Sequence, residues 1–190
     1  MKKAVLVLAA AAMMLAGAVG TAGAQNIGVG VLYSGSSLVP DMLLPIKLGD
    51  GSLILEPQLG LSIVSVDDPE SSSMAASANT LGIEGTQIRF GASLEKQTNP
   101  GSTSPLFGGF ARVSLTSPDA EGLDSWTDFT FGVFLGGTAE LASNLEFQGF
   151  WGPMFTLNGE HTAGDAVLTP SSTSIDSMAG FRLRWFVFGS

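Results

Sequence analysis

The stretch TDFTFGVFLGGTAEL, residues 127–141, constrains this chain more than any other. Phe129, Phe131, Val133, Leu135, Ala139 and Leu141 fall on one parity, against Asp128, Thr130, Gly132, Thr138 and Glu140 on the other. A period of two marks a strand with one apolar and one polar face, because successive side chains point to opposite sides. The pattern recurs along the chain. Ile27, Val29, Val31 and Tyr33 oppose Gly28 and Gly30; Met42, Leu44, Ile46 and Leu48 oppose Lys47. Leu53, Leu55, Pro57, Leu59, Leu61 and Ile63 oppose Glu56, Gln58, Gly60 and Ser62. Ile88, Phe90, Ala92 and Leu94 oppose Arg89, Ser93 and Glu95, while Phe107, Ala111, Val113 and Leu115 oppose Arg112 and Ser114, with Phe110 on the polar side. Leu145, Phe147, Trp151, Phe155 and Leu157 oppose Glu146, Gln148 and Thr156. In the closing GFRLRWFVFGS, Arg182 and Arg184 stand between Phe181, Leu183, Trp185 and Val187. The sum is about eight strands, each near the ~10 residues that a tilted strand needs to cross a bilayer.

The connections alternate in kind. Gly49–Gly51 and Ala142–Asn144 have tight-turn chemistry, whereas residues 67–79, 117–125 and 158–173 are long, polar and acidic. Short turns on one rim and long loops on the other predict an up-and-down membrane barrel. Lys96–Pro105 is long where a short turn is expected. Glu84 breaks the pattern, sharing parity with Ile88 and Phe90.

The first residues read differently. Lys2 and Lys3, an apolar run from Ala4 to Val19 and small residues at Ala22 and Ala24 predict a secretory signal over residues 1–24, with a barrel domain over 25–190. Removing Lys2 and Lys3 leaves six basic residues against seventeen acidic ones, a formal charge of −11. Such acidity argues against nucleic-acid binding, which needs clustered Lys and Arg. Export implies an oxidising compartment, yet the chain has no cysteine, so its stability has another source.

Alternation alone does not separate a soluble barrel from a membrane barrel, which turn the same two faces opposite ways. The polar face decides. A water-facing surface is rich in long charged side chains, but charged residues are only 13% here, against ~25% in soluble domains. The polar face carries Gly, Ser, Thr and Gln with single charges of both signs: Lys47, Arg89, Arg112, Arg182 and Arg184 with Glu56, Glu95, Asp128, Glu140, Glu146 and Asp176. An eight-stranded barrel is just wide enough for its side chains to fill. Charges confined there need partners, so this set predicts a paired network filling the lumen. Arg182 and Arg184 are expected to meet acids such as Glu56, Glu140 or Glu146. Tyr33, Trp126, Trp151 and Trp185 are the candidates for interfacial aromatic girdles.

FGASLEKQTNPGSTSPLFGGFARVSL, GGTAELASNLEFQGFWGP and the alternating C-terminal stretch resemble the small outer-membrane β-barrel family of opacity proteins and OmpA-type membrane domains. The likeness covers nearly the whole chain after residue 24. The chain departs from that family's C-terminal signal by ending in Gly189 and Ser190, and by placing Trp185 and Val187 in the lipid-facing register. The resemblance implies a bacterial outer-membrane monomer in contact with lipid and lipopolysaccharide, inserted by the barrel assembly machinery. It implies a structural role, or one in surface interaction through acidic loops whose ligand the sequence does not name. A conduit for small solutes or hydrophobic molecules, as in OmpW-like barrels, is the alternative, and a lipid A-modifying enzyme ranks third.

Chemistry-bearing constellations are sparse. His161 is the only histidine, and the residue two after it is Ala163, so the His-x-Ser pattern of barrel deacylases is missing. Ser171, Ser172 or Ser174 with Asp165 would complete a triad, but nothing in the spacing requires one. The acids Asp67, Asp68 and Glu70, and Asp119, Glu121 and Asp124, lack an EF-hand pattern and read as solvated loops. GVGVLYSG has the wrong spacing for a dinucleotide fingerprint. No metal, cofactor or catalytic residue is expected.

Overall fold

In the computed structural model, residues 24–34, 40–64, 85–99, 103–119 and 122–188 are described. The signal-like segment before Ala24, the loop carrying Asp67, Asp68, Glu70 and Glu84, and Glu121, Gly189 and Ser190 lie outside them. The strands are β1 (Ala24–Ser34), β2 (Asp41–Leu43), β3 (Ile46–Leu48), β4 (Leu53–Val64), β5 (Gly85–Gln97), β6 (Ser104–Pro118), β7 (Trp126–Ala142), β8 (Leu145–Asn158), β9 (His161–Ala163), β10 (Ala166–Thr169) and β11 (Ser172–Phe188).

Neighbouring strands pair antiparallel in chain order, and β11 returns to pair with β1 through registers such as Val29↔Trp185 and Tyr33↔Phe181. That last ladder closes an eight-stranded barrel and removes the free edges of the sheet. β2 and β3 are one barrel strand interrupted at Leu44–Pro45. Both keep a single register against β4, from Met42↔Leu59 to Leu48↔Leu53. Pro45 has no N–H to give, but its carbonyl still accepts from Gly28, and Leu44 donates to the Pro57 carbonyl.

The predicted parity holds over the wall. Val29, Val31, Leu59, Leu61, Val133, Leu135, Trp151 and Val187 are exposed, while Glu56, Arg89, Glu95, Gln148, Arg182 and Arg184 are buried. A surface of Val, Leu, Phe and Trp around a polar interior inverts the order of a soluble protein and suits a hydrocarbon solvent. β7 and β11 are longer than expected, at 17 residues each. At ~3.3 Å per residue and ~40° tilt, that spans about 43 Å, well beyond an apolar band of about 25 Å.

The short turns share one rim. At Gly49–Ser52 both glycines take positive φ, 60° and 81°, as a tight hairpin demands. The long Lys96–Pro105 connection also sits on this rim, drawn tight by Thr98 N–H donating to the Pro105 carbonyl and Asn99 N–H to Ser104 Oγ. On the opposite rim, the loop expected at 158–173 contains a hairpin, β9–β10, paired through Ala166↔Ala163 and Val167↔Thr162.

Candidate functional site

The lumen is built in three layers, set by position along the strands. Nearest the short turns is a cluster of six charged residues, three of each sign. Arg184 comes from β11, and its Nε and Nη1 each lie 2.6 Å from a carboxylate, Glu56 Oε2 on β4 and Glu95 Oε1 on β5. Arg182, two residues earlier on the same face, places Nη1 2.7 Å from Glu95 Oε2 and Nε 3.2 Å from Glu56 Oε1. The second of these is an ion pair without hydrogen-bond alignment. Two arginines thus share two glutamates, and all four side chains are almost wholly excluded from solvent. Lys47 on β3 pairs with Glu146 on β8, whose other oxygen lies 3.9 Å from Arg184.

Neutral side chains complete the cluster. Gln148 donates to Glu95 at 3.1 Å and accepts from Arg182 at 3.3 Å; Gln97 donates to Glu146 and Ser93 to Glu56. Lys47 also lies 4.1 Å from the Phe186 ring centroid.

Above this cluster is an apolar layer of Leu32, Leu43, Phe110, Phe134, Phe150 and Met178, which Leu106 joins from below, across from Gln97. Its rings sit opposite glycines on the neighbouring strand: Gly108↔Phe134, Phe110↔Gly132 and Gly180↔Phe150. A Cβ at Gly108, Gly132 or Gly180 would lie 2.6, 2.8 and 2.8 Å from the facing ring, so each ring lies in space that a side chain would fill. The Arg182 guanidinium lies 4.7 Å from both the Phe134 and Phe150 centroids, joining the two layers by cation–π contact. Sequence reading placed Phe110 on the polar side but did not single out Phe134 or Phe150.

The third layer is nearer the long loops. Arg89 on β5 donates from Nε at 3.0 Å and Nη2 at 2.8 Å to Asp41 Oδ1 on β2, and from Nη1 to Gln87. Gly60 on β4 lies between these strands, and a side chain there would overlap Asp41 Oδ1 and Arg89 Nε. Arg112 Nη1 is 3.7 Å from Asp41 Oδ2. Asp41 is the buried lumen acid that sequence reading missed. It stands first in the short strand β2, where alternation has barely begun.

Three of the acids expected in the network lie elsewhere. Glu140 and Asp176 keep the inward parity but are exposed near opposite strand ends. Asp128 is half-buried and accepts from Gly159 N–H at 2.9 Å. Among the described residues none of the three is within ion-pair distance of a cation. Parity reports the face of a strand but not the depth, and these three sit where the lumen opens.

The girdle candidates also divide. Tyr33 stacks on Phe181 at 5.3 Å, and Trp151 and Trp185 are more than half exposed on the outer wall. Trp151 stands midway along β8 rather than near a strand end. Trp126 is no girdle residue: it is buried on the inward parity with its ring 4.1 Å from that of His161. Among the described residues His161 Nδ1 has no hydrogen-bond partner, and Ser172 accepts from Asn158 instead. Asp124 is held by Thr162 through a backbone and a side-chain hydrogen bond, and Asp165 is exposed in the β9–β10 turn. At the other rim, Asp50 accepts from the hydroxyl and N–H of Ser52, which hold its carboxyl below its ordinary pKa. Lys96, on the outward parity, donates to Ser52 Oγ.

A closed antiparallel barrel with an apolar exterior and ion-paired interior defines the transmembrane β-barrel class, in its small outer-membrane form. The chain is similar in structure to Neisserial surface protein A, with a TM-score of 0.51 and 14% identity over 85% of this chain and 95% of that one. It was also matched to a major outer membrane protein from Thermus thermophilus, with a TM-score of 0.41 and 12% identity over 85% and 98% of the two chains. No family model matches the sequence, and no curated protein does.

Proposed function

We propose that this chain is a bacterial outer-membrane barrel whose lumen is sealed by its own side chains, and that it acts as a structural or surface-interaction protein through its acidic long loops. The observation that carries this reading is the stacking of a neutral charge cluster beneath an aromatic layer. Arg182 and Arg184 are 1% and 0% exposed, with Glu56 and Glu95 at 0% and 1%. A permeating ion would have to displace these pairs and then cross a layer of Phe110, Phe134 and Phe150 that offers it no hydrogen bonds.

Its partners on this reading are outer-membrane lipid and lipopolysaccharide around the wall, the assembly machinery during insertion, and an extracellular ligand at the loops. The barrel acts as a monomer. The conduit reading and the sealed reading part on one measurement: the folded protein in a planar bilayer shows no stepwise conductance if sealed, and discrete steps if it conducts. A role at the cell surface is tested by protease accessibility of the 158–173 segment in intact cells. Cleavage there supports the proposed orientation, and protection contradicts it.

A further inference from the structure

Of the six basic residues after residue 24, five face the lumen. Lys47, Arg89, Arg112, Arg182 and Arg184 each lie within ion-pair distance of a lumen acid. Lys96 is the sixth, and it points the other way. It is exposed one residue before the end of β5, on the same parity as the exposed Leu94. Its cross-strand neighbours are Leu53 on β4 and the exposed Phe107 on β6. Among the described residues, the wall therefore carries a single ammonium group, set where the apolar surface meets the short-turn rim.

That ammonium is only partly engaged. Nζ donates to Ser52 Oγ, and among the described residues no acid lies within ion-pair distance of it. An ammonium has three donors, so two remain. Asp50 feels the charge, but it accepts from the Ser52 hydroxyl and N–H and stands exposed in the turn, where water screens it. The acids outside the described residues belong to the β4–β5 and β6–β7 connections, which leave from the opposite rim. The adjoining turn, Pro100, Gly101 and Ser102, contains no acid.

We propose that Lys96 is a contact point for the phosphate of a glycerophospholipid at the short-turn rim, with the acyl chains lying along Leu94 and Phe107. The proposal rests on the membrane reading of the wall, and not on whether the lumen is sealed. A cation on a lipid-facing wall is tolerated at the interface and costly further in. At that depth the anion within reach is the lipid phosphate, between headgroup and acyl chains. Leu94 lies two residues further into the apolar wall on the same face, so a lipid held at Lys96 gains apolar contact as well. A free phosphate gains only the charge.

The other end of the barrel offers nothing comparable. The connections between β1 and β2, β4 and β5, β6 and β7, and β8 and β11 contain neither Lys nor Arg. Lipid phosphates there meet no ammonium or guanidinium from this chain, so the charge-assisted lipid contact belongs to one leaflet.

The test uses the folded barrel in a non-ionic detergent, which brings no phosphate of its own. It is titrated with dihexanoyl phosphatidylglycerol and, separately, with inorganic phosphate at constant ionic strength. NMR follows the side-chain ¹³Cε–H resonances of Lys96 and Lys47 and the methyl groups of Leu94. The lipid should shift Lys96 and Leu94 saturably and leave Lys47, paired with Glu146, in place. Inorganic phosphate should bind about tenfold more weakly or less. Lys96→Gln should weaken the Leu94 response about tenfold, the loss of one charge-assisted contact, whereas Lys96→Arg should keep it. Lys96 is exposed, so both variants keep the barrel. No saturable shift at Lys96, an equal response to inorganic phosphate, or an undiminished Leu94 response in Lys96→Gln each overturns the proposal and leaves the membrane barrel standing. A protein that stays folded and soluble once detergent is withdrawn overturns the membrane reading beneath it as well.

Discussion

Replacing Arg184 by Ala would leave Glu56 and Glu95 facing each other with one shared cation, Arg182, where two now stand. Breaking a buried pair by removing one partner costs ~3–5 kcal/mol, so Arg184→Ala should lower the urea midpoint of the folded barrel markedly. An unchanged midpoint contradicts the shared-pair account. Gly60→Ala tests the upper layer in the same way, since its methyl group would push Asp41 and Arg89 apart. At the short-turn rim, Asp50 supplies a pH-dependent contribution. Its carboxyl is lowered from 3.8 by the Ser52 hydrogen bonds, so the stabilisation is present above that value and is lost as pH falls through the folded value. NMR titration should place its midpoint below 3.8, and Ser52→Ala should raise it. The residues that sequence made legible are those deep within long alternating runs, such as Glu56, Glu95, Arg182 and Arg184. Glu140, Asp176 and Trp126 sit near strand ends, where alternation still gives the face but says nothing of depth or cover. Asp41 was hidden because it opens a three-residue strand, where alternation has barely begun.

At the scale of elements, the aromatic layer depends on pairing between strands. Phe134 lies across from Gly108, and Phe150 from Gly180, so each ring is housed by its neighbour rather than by its own strand. Phe134→Ala removes a buried ring and should destabilise the barrel by ~3–5 kcal/mol, read from the same urea curves. A loss below about 1 kcal/mol, on the order of a surface substitution, would contradict the layer's role. This layer was illegible because Phe134 stands among Phe131, Val133 and Leu135, where an apolar residue on the polar parity draws no attention. Register supplies what a single strand cannot: the facing glycine. The β9–β10 hairpin was illegible for another reason. Its polar, glycine-containing sequence reads as loop, and its order comes from Asp124–Thr162 hydrogen bonds and the His161–Trp126 ring contact. His161→Ala should expose Trp126 and red-shift its fluorescence without unfolding the barrel. An unchanged spectrum contradicts that packing.

At the scale of the whole molecule, the fold was legible because one periodicity runs through nearly every strand and the short and long connections alternate. A wall of exposed Val, Leu, Phe and Trp has no place in water, and a core of paired charges has none in lipid. Closing the sheet through β1 and β11 satisfies both at once. It also accounts for a chain without cysteine: every strand of the barrel wall has two neighbours, and the lumen charges tie β3, β4, β5, β8 and β11 together. The central claim is that these charges, with the aromatic layer above them, seal the lumen. Single-channel recording of the folded protein in a planar bilayer tests it most directly. A sealed barrel gives a flat current at all moderate voltages, and reproducible stepwise conductance from the native protein would contradict the account.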